Sequence, residues 1–134
     1  MATIKYFEEL RVWQKSRILC QFIFEIISTP IFSRDYKLKE QINGSSGSVM
    51  DNIAEGFGRQ GKAEFIQFLS IANGSITETK SQLYRALDRK YITEEKFKEI
   101  EILIDEISGM LNNFISFLSA SNIQGIKYKL KSKS

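Results

Sequence analysis

Two stretches of this chain carry core-type residues at alternating steps of three and four, and that spacing leaves few architectures open. The first series is Phe65, Leu69, Ala72, Ile76, Thr79, Leu83 and Ala86, and the second is Phe97, Ile100, Ile104, Ile107, Leu111, Phe114 and Leu118. A mean step of about 3.5 residues gathers each set on one side of an α-helix, whereas a strand requires alternation by two. Only a short link at Tyr91-Ile92 separates the two helices, so they are expected to pack as an antiparallel hairpin. A hairpin alone leaves its seams open to water, and further helices must close the core.

Those helices are readable on the N-terminal side. The single proline, Pro30, and the glycines punctuate the chain, and between them the apolar spacing is helical. A first helix is predicted from about Tyr6 to Ile27, stopping before Thr29-Pro30 because a residue ahead of proline is pushed out of the helical region. A second runs from about Tyr36 to Gly58, with Ser33 or Asp35 as N-cap, and carries Leu38, Ile42, Ser45, Val49, Asn52 and Gly56 on the same rhythm. The third spans about Lys62 to Lys90 and the fourth about Thr93 to Ala120, with Thr93 a good N-cap and Glu94 and Glu95 suiting the first-turn dipole. The expected fold is all-α: an antiparallel up-down four-helix bundle over residues 1–121, followed by a short flexible basic tail, 122–134.

The charge pattern sharpens that division. Nineteen Lys and Arg against sixteen Asp and Glu give +3 over 134 residues. Residues 1–126 hold fifteen of the bases and all sixteen acids, a net of −1, and Lys127, Lys129, Lys131 and Lys133 add +4. Four lysines near one terminus favour sequence-independent, salt-sensitive attraction to phosphates.

Residue types absent from the chain remove much catalytic chemistry. With no histidine and one cysteine, Cys20, the common zinc, haem, Ser-His-Asp and Cys-His arrangements cannot be built within one chain. The di-iron bundle pattern Glu-x-x-His is excluded on the same ground. Glu94, Glu95, Glu99, Glu101, Asp105 and Glu106, interspersed with Lys96 and Lys98, read as a solvated helix face rather than as paired catalytic carboxylates. The expectation is a protein that is not an enzyme, with no catalytic residues, metal or cofactor. Met1 to Glu9 lacks a signal-peptide layout, and Gln21 and Glu25 interrupt the apolar run of the first helix. A cytoplasmic chain with no membrane association is therefore expected.

One segment imitates a nucleotide site. Gly56-Phe57-Gly58-Arg59-Gln60-Gly61-Lys62-Ala63 satisfies GxGxxG and most of the P-loop pattern. Ala63 stands where magnesium needs a hydroxyl, and Ser48 to Glu55 reads as helix where both motifs require a strand. The segment is better read as a turn whose glycines supply a helix C-cap and an unencumbered helix start. A weaker role survives: N–H groups opening the third helix, with Arg59 and Lys62 alongside, can hold one phosphate. Arg85, Arg89 and Lys90 form a second basic group at that helix's C-terminal end, where they suit the dipole and offer further nucleic-acid contacts.

The first helix is more apolar than a single core face requires. Ten of the sixteen residues from Val12 to Ile27 are apolar, and in the fourth helix Leu103, Met110 and Phe117 form a second line beside the main seam. Val12, Leu19, Phe22, Ile26, Leu103, Met110 and Phe117 are accordingly the candidate subunit interface.

Several blocks carry a resemblance. Phe7-Glu8-Glu9-Leu10-Arg11-Val12-Trp13-Gln14-Lys15, Tyr36 to Ile42, Asn52-Ile53-Ala54-Glu55-Gly56-Phe57-Gly58-Arg59, Phe65 to Ser75, Glu78 and Gln82-Leu83 occur in an order that resembles the bacterial four-helix-bundle proteins encoded in 23S ribosomal-RNA intervening sequences. That family is similar in fold to the accessory variability proteins of diversity-generating retroelements, whose subunits form a pentameric barrel that binds nucleic acid and a reverse transcriptase. The resemblance implies a homopentamer whose partners are RNA or DNA, or an RNA-handling protein such as a reverse transcriptase. One departure stands out: family members commonly follow the helix-2 glutamine with two arginines and two alanines, and this chain has Asn43-Gly44-Ser45-Ser46. The expected function is non-enzymatic binding of ribosomal or structured RNA, or of an RNA-handling protein, by electrostatic contact. The alternative is a protein-interaction scaffold without nucleic-acid binding.

Overall fold

The structure, a computed structural model, describes residues 3–121. After a 3-10 turn at Phe7–Glu9 come α1 (Arg11–Ile27), a one-turn helix α2 (Pro30–Ser33), α3 (Tyr36–Gly58), α4 (Lys62–Asp88) and α5 (Glu94–Ala120). The four long helices close a ring in which α1 packs on α3, α3 on α4, α4 on α5, and α5 back on α1.

Side-chain pairs give the direction of packing. Along α3, Ser45 meets Gln82, Ser48 meets Ser75, and Gly56 meets Phe68, so partners descend α4 as α3 advances. The same descent links Lys80 to Asp105 and Phe65 to Phe114 across α4 and α5. Every residue of the Phe65–Ala86 and Phe97–Leu118 seams is buried. Phe57, Phe65 and Phe114 meet edge to face, with centroids 5.9 and 5.1 Å apart.

The seam between α3 and α4 is polar as well as apolar. The Ser45 hydroxyl donates to Gln82 Oε1 at 2.6 Å, Thr79 Oγ1 lies 2.8 Å from both Ser45 Oγ and the Ser75 carbonyl, and Ser48 and Ser75 pair at 2.9 Å. Asn52 Nδ2 donates to the Ser48 carbonyl and hydroxyl, extending the row by another turn. Small side chains bring the two backbones close enough for these contacts, and the contacts in turn satisfy groups that burial would otherwise penalise.

Three local expectations need correction. The first helix begins at Arg11 rather than near Tyr6, because the Glu9 carboxylate accepts the Lys5 and Tyr6 N–H groups and Leu10 is extended and fully buried. The third ends at Asp88, with Lys90 in the left-handed region at φ 62°. Glycine does not supply the left-handed residue of the α3–α4 turn: Gln60 does, at φ 65°, and no described glycine has positive φ. Gly56 instead permits close packing, and Gly61 is the extended N-cap of α4. Ser48 to Glu55 is helical, so neither phosphate-loop motif has its strand. Of the two proposed caps for α3, Asp35 serves, accepting the Leu38 N–H at 3.2 Å. Thr93 caps α5 as expected, accepting from Lys96.

Candidate nucleic-acid interface

The structure divides the predicted cations between opposite ends of the helices. Arg59 and Lys62 lie at the start of α4, and Arg85, Arg89 and Lys90 at its end, roughly 40 Å away at 1.5 Å per residue. The two ends differ in how their charges are used.

At the first end both cations have internal duties. Arg59 pairs with Glu55 at 3.0 Å, and its guanidinium lies 5.3 Å from the Phe68 ring centroid. Lys62 Nζ donates to the Ser121 carbonyl at 2.9 Å, tying the start of α4 to the end of α5. With Glu55 and Glu64 beside Arg59 and Lys62, segment 55–64 has no net charge. Lys127, Lys129, Lys131 and Lys133 lie outside the described residues.

The opposite end is organised around Asp35. Its carboxylate accepts from Leu38 N–H, from Arg89 at 2.6 Å and from the Tyr91 hydroxyl at 2.8 Å, joining the start of α3 to the end of α4 and the following link. Phe32 from α2 packs on Tyr91 with ring centroids 5.0 Å apart. Arg85 reaches Gln41 at 3.1 Å. This arrangement brings Arg34, Lys37 and Lys39 to the basic group already recognised at Arg85, Arg89 and Lys90. Segments 34–41 and 85–91 together contain six cations and three carboxylates, Asp35, Glu40 and Asp88, a net of +3. Arg34, Lys37 and Lys90 are exposed and form no ion pair among the described residues. Beside them Tyr36 is 75% exposed, with Lys39 Nζ 5.8 Å from its ring centroid.

Sequence reading missed Arg34, Tyr36, Lys37 and Lys39. Their signal was present in the Arg34-Asp35-Tyr36-Lys37-Leu38-Lys39 run, but it joins the second basic group only once α3 begins where α4 ends.

The Asp35 hub makes a pH-dependent prediction. Hydrogen bonds from Tyr91 and then from Leu38 N–H hold its carboxyl below the usual carboxylate range, with Arg89 adding to the effect, and the Tyr91 hydroxyl is correspondingly pushed up by Asp35. A carboxyl whose pKa is lower folded than unfolded stabilises the fold above its unfolded value, and that contribution disappears as pH falls through its folded value. Asp35→Asn, which keeps a side chain able to cap α3, should therefore be less stable than the parent near neutrality and converge with it in acid. Urea unfolding across that range checks this; a pH-independent gap would contradict it.

The proposed interface residues separate into two groups. Val12, Leu19, Ile26 and Leu103 are buried within this chain's own core, so they are corrected from interface to interior: α1 must cover α3 and α5 together. Phe22 and Met110 are half-buried, and Phe117 is 47% exposed. A shallow depression on the outer face of α1 is lined by Glu8, Trp13, Gln14, Arg17, Ile18 and Gln21. Among the described residues no three His, Cys, Asp or Glu side chains are grouped to hold a metal ion, and no helix is long and apolar enough to cross a membrane. Cys20 donates weakly to the Ser46 carbonyl, and burial pushes its thiol pKa up.

No curated protein matches the chain. The crystal structure of a protein of unknown function from the S23 ribosomal protein family of Bacteroides thetaiotaomicron is similar to it, with 28% sequence identity and a TM-score of 0.72. That similarity covers 78% of this chain and 97% of the other. The family described as 23S rRNA-intervening sequence protein matches residues 8–113, from the turn before α1 into the last third of α5 and across the whole basic end. The chain belongs to the 23S rRNA-intervening sequence protein family.

Proposed function

We propose that this chain is an antiparallel up-down four-helix bundle that binds RNA without catalysis, using electrostatic contacts from the α3–α4 basic end, and that it acts as a cytoplasmic oligomer. The observation that carries the reading is the difference between the two ends. Arg59 and Lys62 are held by internal partners, whereas Arg34, Lys37 and Lys90 face solvent and supply the net +3 of their cluster, whose other cations are balanced by Asp35, Glu40 and Asp88. Exposed cations not already paired are the ones that release counterions when they meet phosphates.

The test uses the full chain and a triple variant, Arg34→Glu, Lys37→Glu and Lys90→Glu, titrated with a single-stranded RNA at several salt concentrations. None of the three sites is paired among the described residues, so the variant should fold, as circular dichroism would verify. Removing three phosphate contacts should flatten the log–log salt slope by about 2, from about 0.7 per phosphate. An unchanged slope and affinity would overturn this end as the binding surface. A truncation after Ile126 separates the tail: equal affinity and slope with and without it would remove the tail lysines from the reading.

Self-association has its own support. Ile18 and Phe117 are 41% and 47% exposed, and Phe22 and Met110 are only half-covered, all on the adjacent helices α1 and α5. The homopentamer rests on the family resemblance. Sedimentation should give five times the 15.5 kDa chain mass; a monomer would overturn the oligomeric reading.

A further inference from the structure

Tyr36 is an unusual residue to find on so charged a surface. It occupies the first position of α3, immediately after the Asp35 cap, and the residue is 75% exposed. Burial therefore does not explain it. Tyr91, at the same end, is half-buried, packs on Phe32 and donates its hydroxyl to Asp35. Lys39 Nζ lies over the Tyr36 ring, 5.8 Å from its centroid, while Arg34 and Lys37 are near it in sequence, both exposed. Asp35, the nearest carboxylate in sequence, is occupied by Arg89, Tyr91 and the Leu38 N–H. The arrangement is an open aromatic face bordered by cations.

From this juxtaposition we infer that the basic end recognises single-stranded nucleic acid, with an unpaired base stacked on Tyr36 while Arg34, Lys37 and Lys90 contact the flanking phosphates. The inference rests on the basic-end reading above and adds the form of the ligand. Phosphates are common to duplexes and single strands, so the cations alone do not distinguish them. A duplex hides its base faces within the stack, and an unpaired base offers one to an aromatic ring. An exposed tyrosine thus contributes affinity only where a base is free. Stacking of this kind has little sequence preference, because every base has a π-face, and a cation beside the ring complements the contact.

The experiment measures full-length chain binding to a fluorescent twelve-nucleotide oligouridine, an oligothymidine of equal length and a twelve-base-pair RNA duplex at one salt concentration. Tyr36→Ala should weaken both single-stranded ligands by about tenfold while duplex binding changes by less than about twofold, and Tyr36→Phe should keep parental affinity. Comparable loss of the two single-stranded ligands assigns recognition to the base and phosphate rather than to the sugar hydroxyl. No loss on Tyr36→Ala, or equal loss for the duplex, overturns the stacking inference. Binding of polyglutamate with the same Tyr36→Ala deficit would overturn it too, assigning the surface to acidic protein. The Arg34, Lys37 and Lys90 triple variant separates this inference from its foundation. If the triple variant loses every nucleic acid and Tyr36→Ala loses none, stacking alone fails; if the triple variant loses none, the basic-end reading itself fails.

Discussion

Phe65→Ala is expected to lower the unfolding free energy by about 3–5 kcal/mol. Phe65 is fully buried in α4, and its ring meets Phe57 of α3 and Phe114 of α5 edge to face. Truncation removes the transfer free energy of a whole ring and separates two aromatic partners on different helices. Collapse is restricted because Gly56 already brings α3 against this region of α4, with the position of an added Cβ 3.0 Å from Phe65 Cδ1. Domains of this kind are stable by only about 5–15 kcal/mol, so the variant should unfold at markedly lower urea. A loss below about 1 kcal/mol would mean that the helices close over the gap, contrary to the rigidity inferred from Gly56.

Gly56→Val should also be damaging, and for the opposite reason. A Cβ at Gly56 would lie 2.6 Å from Phe68 Cβ. That carbon is fixed by the α4 backbone and cannot swing aside, so α3 and α4 must separate or shift along their seam. Overpacking of this type costs about 1–3 kcal/mol, and valine's branched carbon places it at the upper end. Gly74→Ala provides the contrast, since nothing approaches its Cβ position within 4 Å. Removing a mid-helix glycine there should stabilise by about 1 kcal/mol. Thermal and urea unfolding of both variants checks the pair; a neutral Gly56→Val would contradict the close approach.

Much of the core was legible because its periodicity is a local property. The Phe65–Ala86 and Phe97–Leu118 series needed only a step of about 3.5 residues to define their buried sides, and Thr79 stood in its series despite its hydroxyl. Gly56 was placed on the seam of the second helix, yet its role depends on Phe68, twelve residues away across a turn. A sequence pattern cannot decide between a glycine that turns and one that lets helices touch. The same limit applied to Val12, Leu19 and Ile26, whose breadth on α1 reflects two neighbouring helices rather than one neighbour and a partner. At the basic end, Arg85, Arg89 and Lys90 were visible as a group. Arg34, Tyr36, Lys37 and Lys39 joined them only through the Asp35 contacts with Arg89 and Tyr91, which cross more than fifty residues of chain.

The hydroxyl and amide row between α3 and α4 also works as a ruler. Apolar side chains on a regular seam tolerate sliding by one helical turn, about 5.4 Å, because one turn of leucines and isoleucines resembles the next. Ser45, Thr79, Gln82, Ser48 and Ser75 do not share that tolerance, since their cross-helix contacts form at one position along the partner helix. A slipped pairing takes Gln82 Oε1 from its Ser45 partner, at about 1–3 kcal/mol if it stays buried, and leaves Ser45 and Thr79 with only the Ile42 and Ser75 carbonyls of their own helices. The row therefore penalises alternative alignments that the apolar seam would accept, and so helps to fix where the start of α3 meets the end of α4.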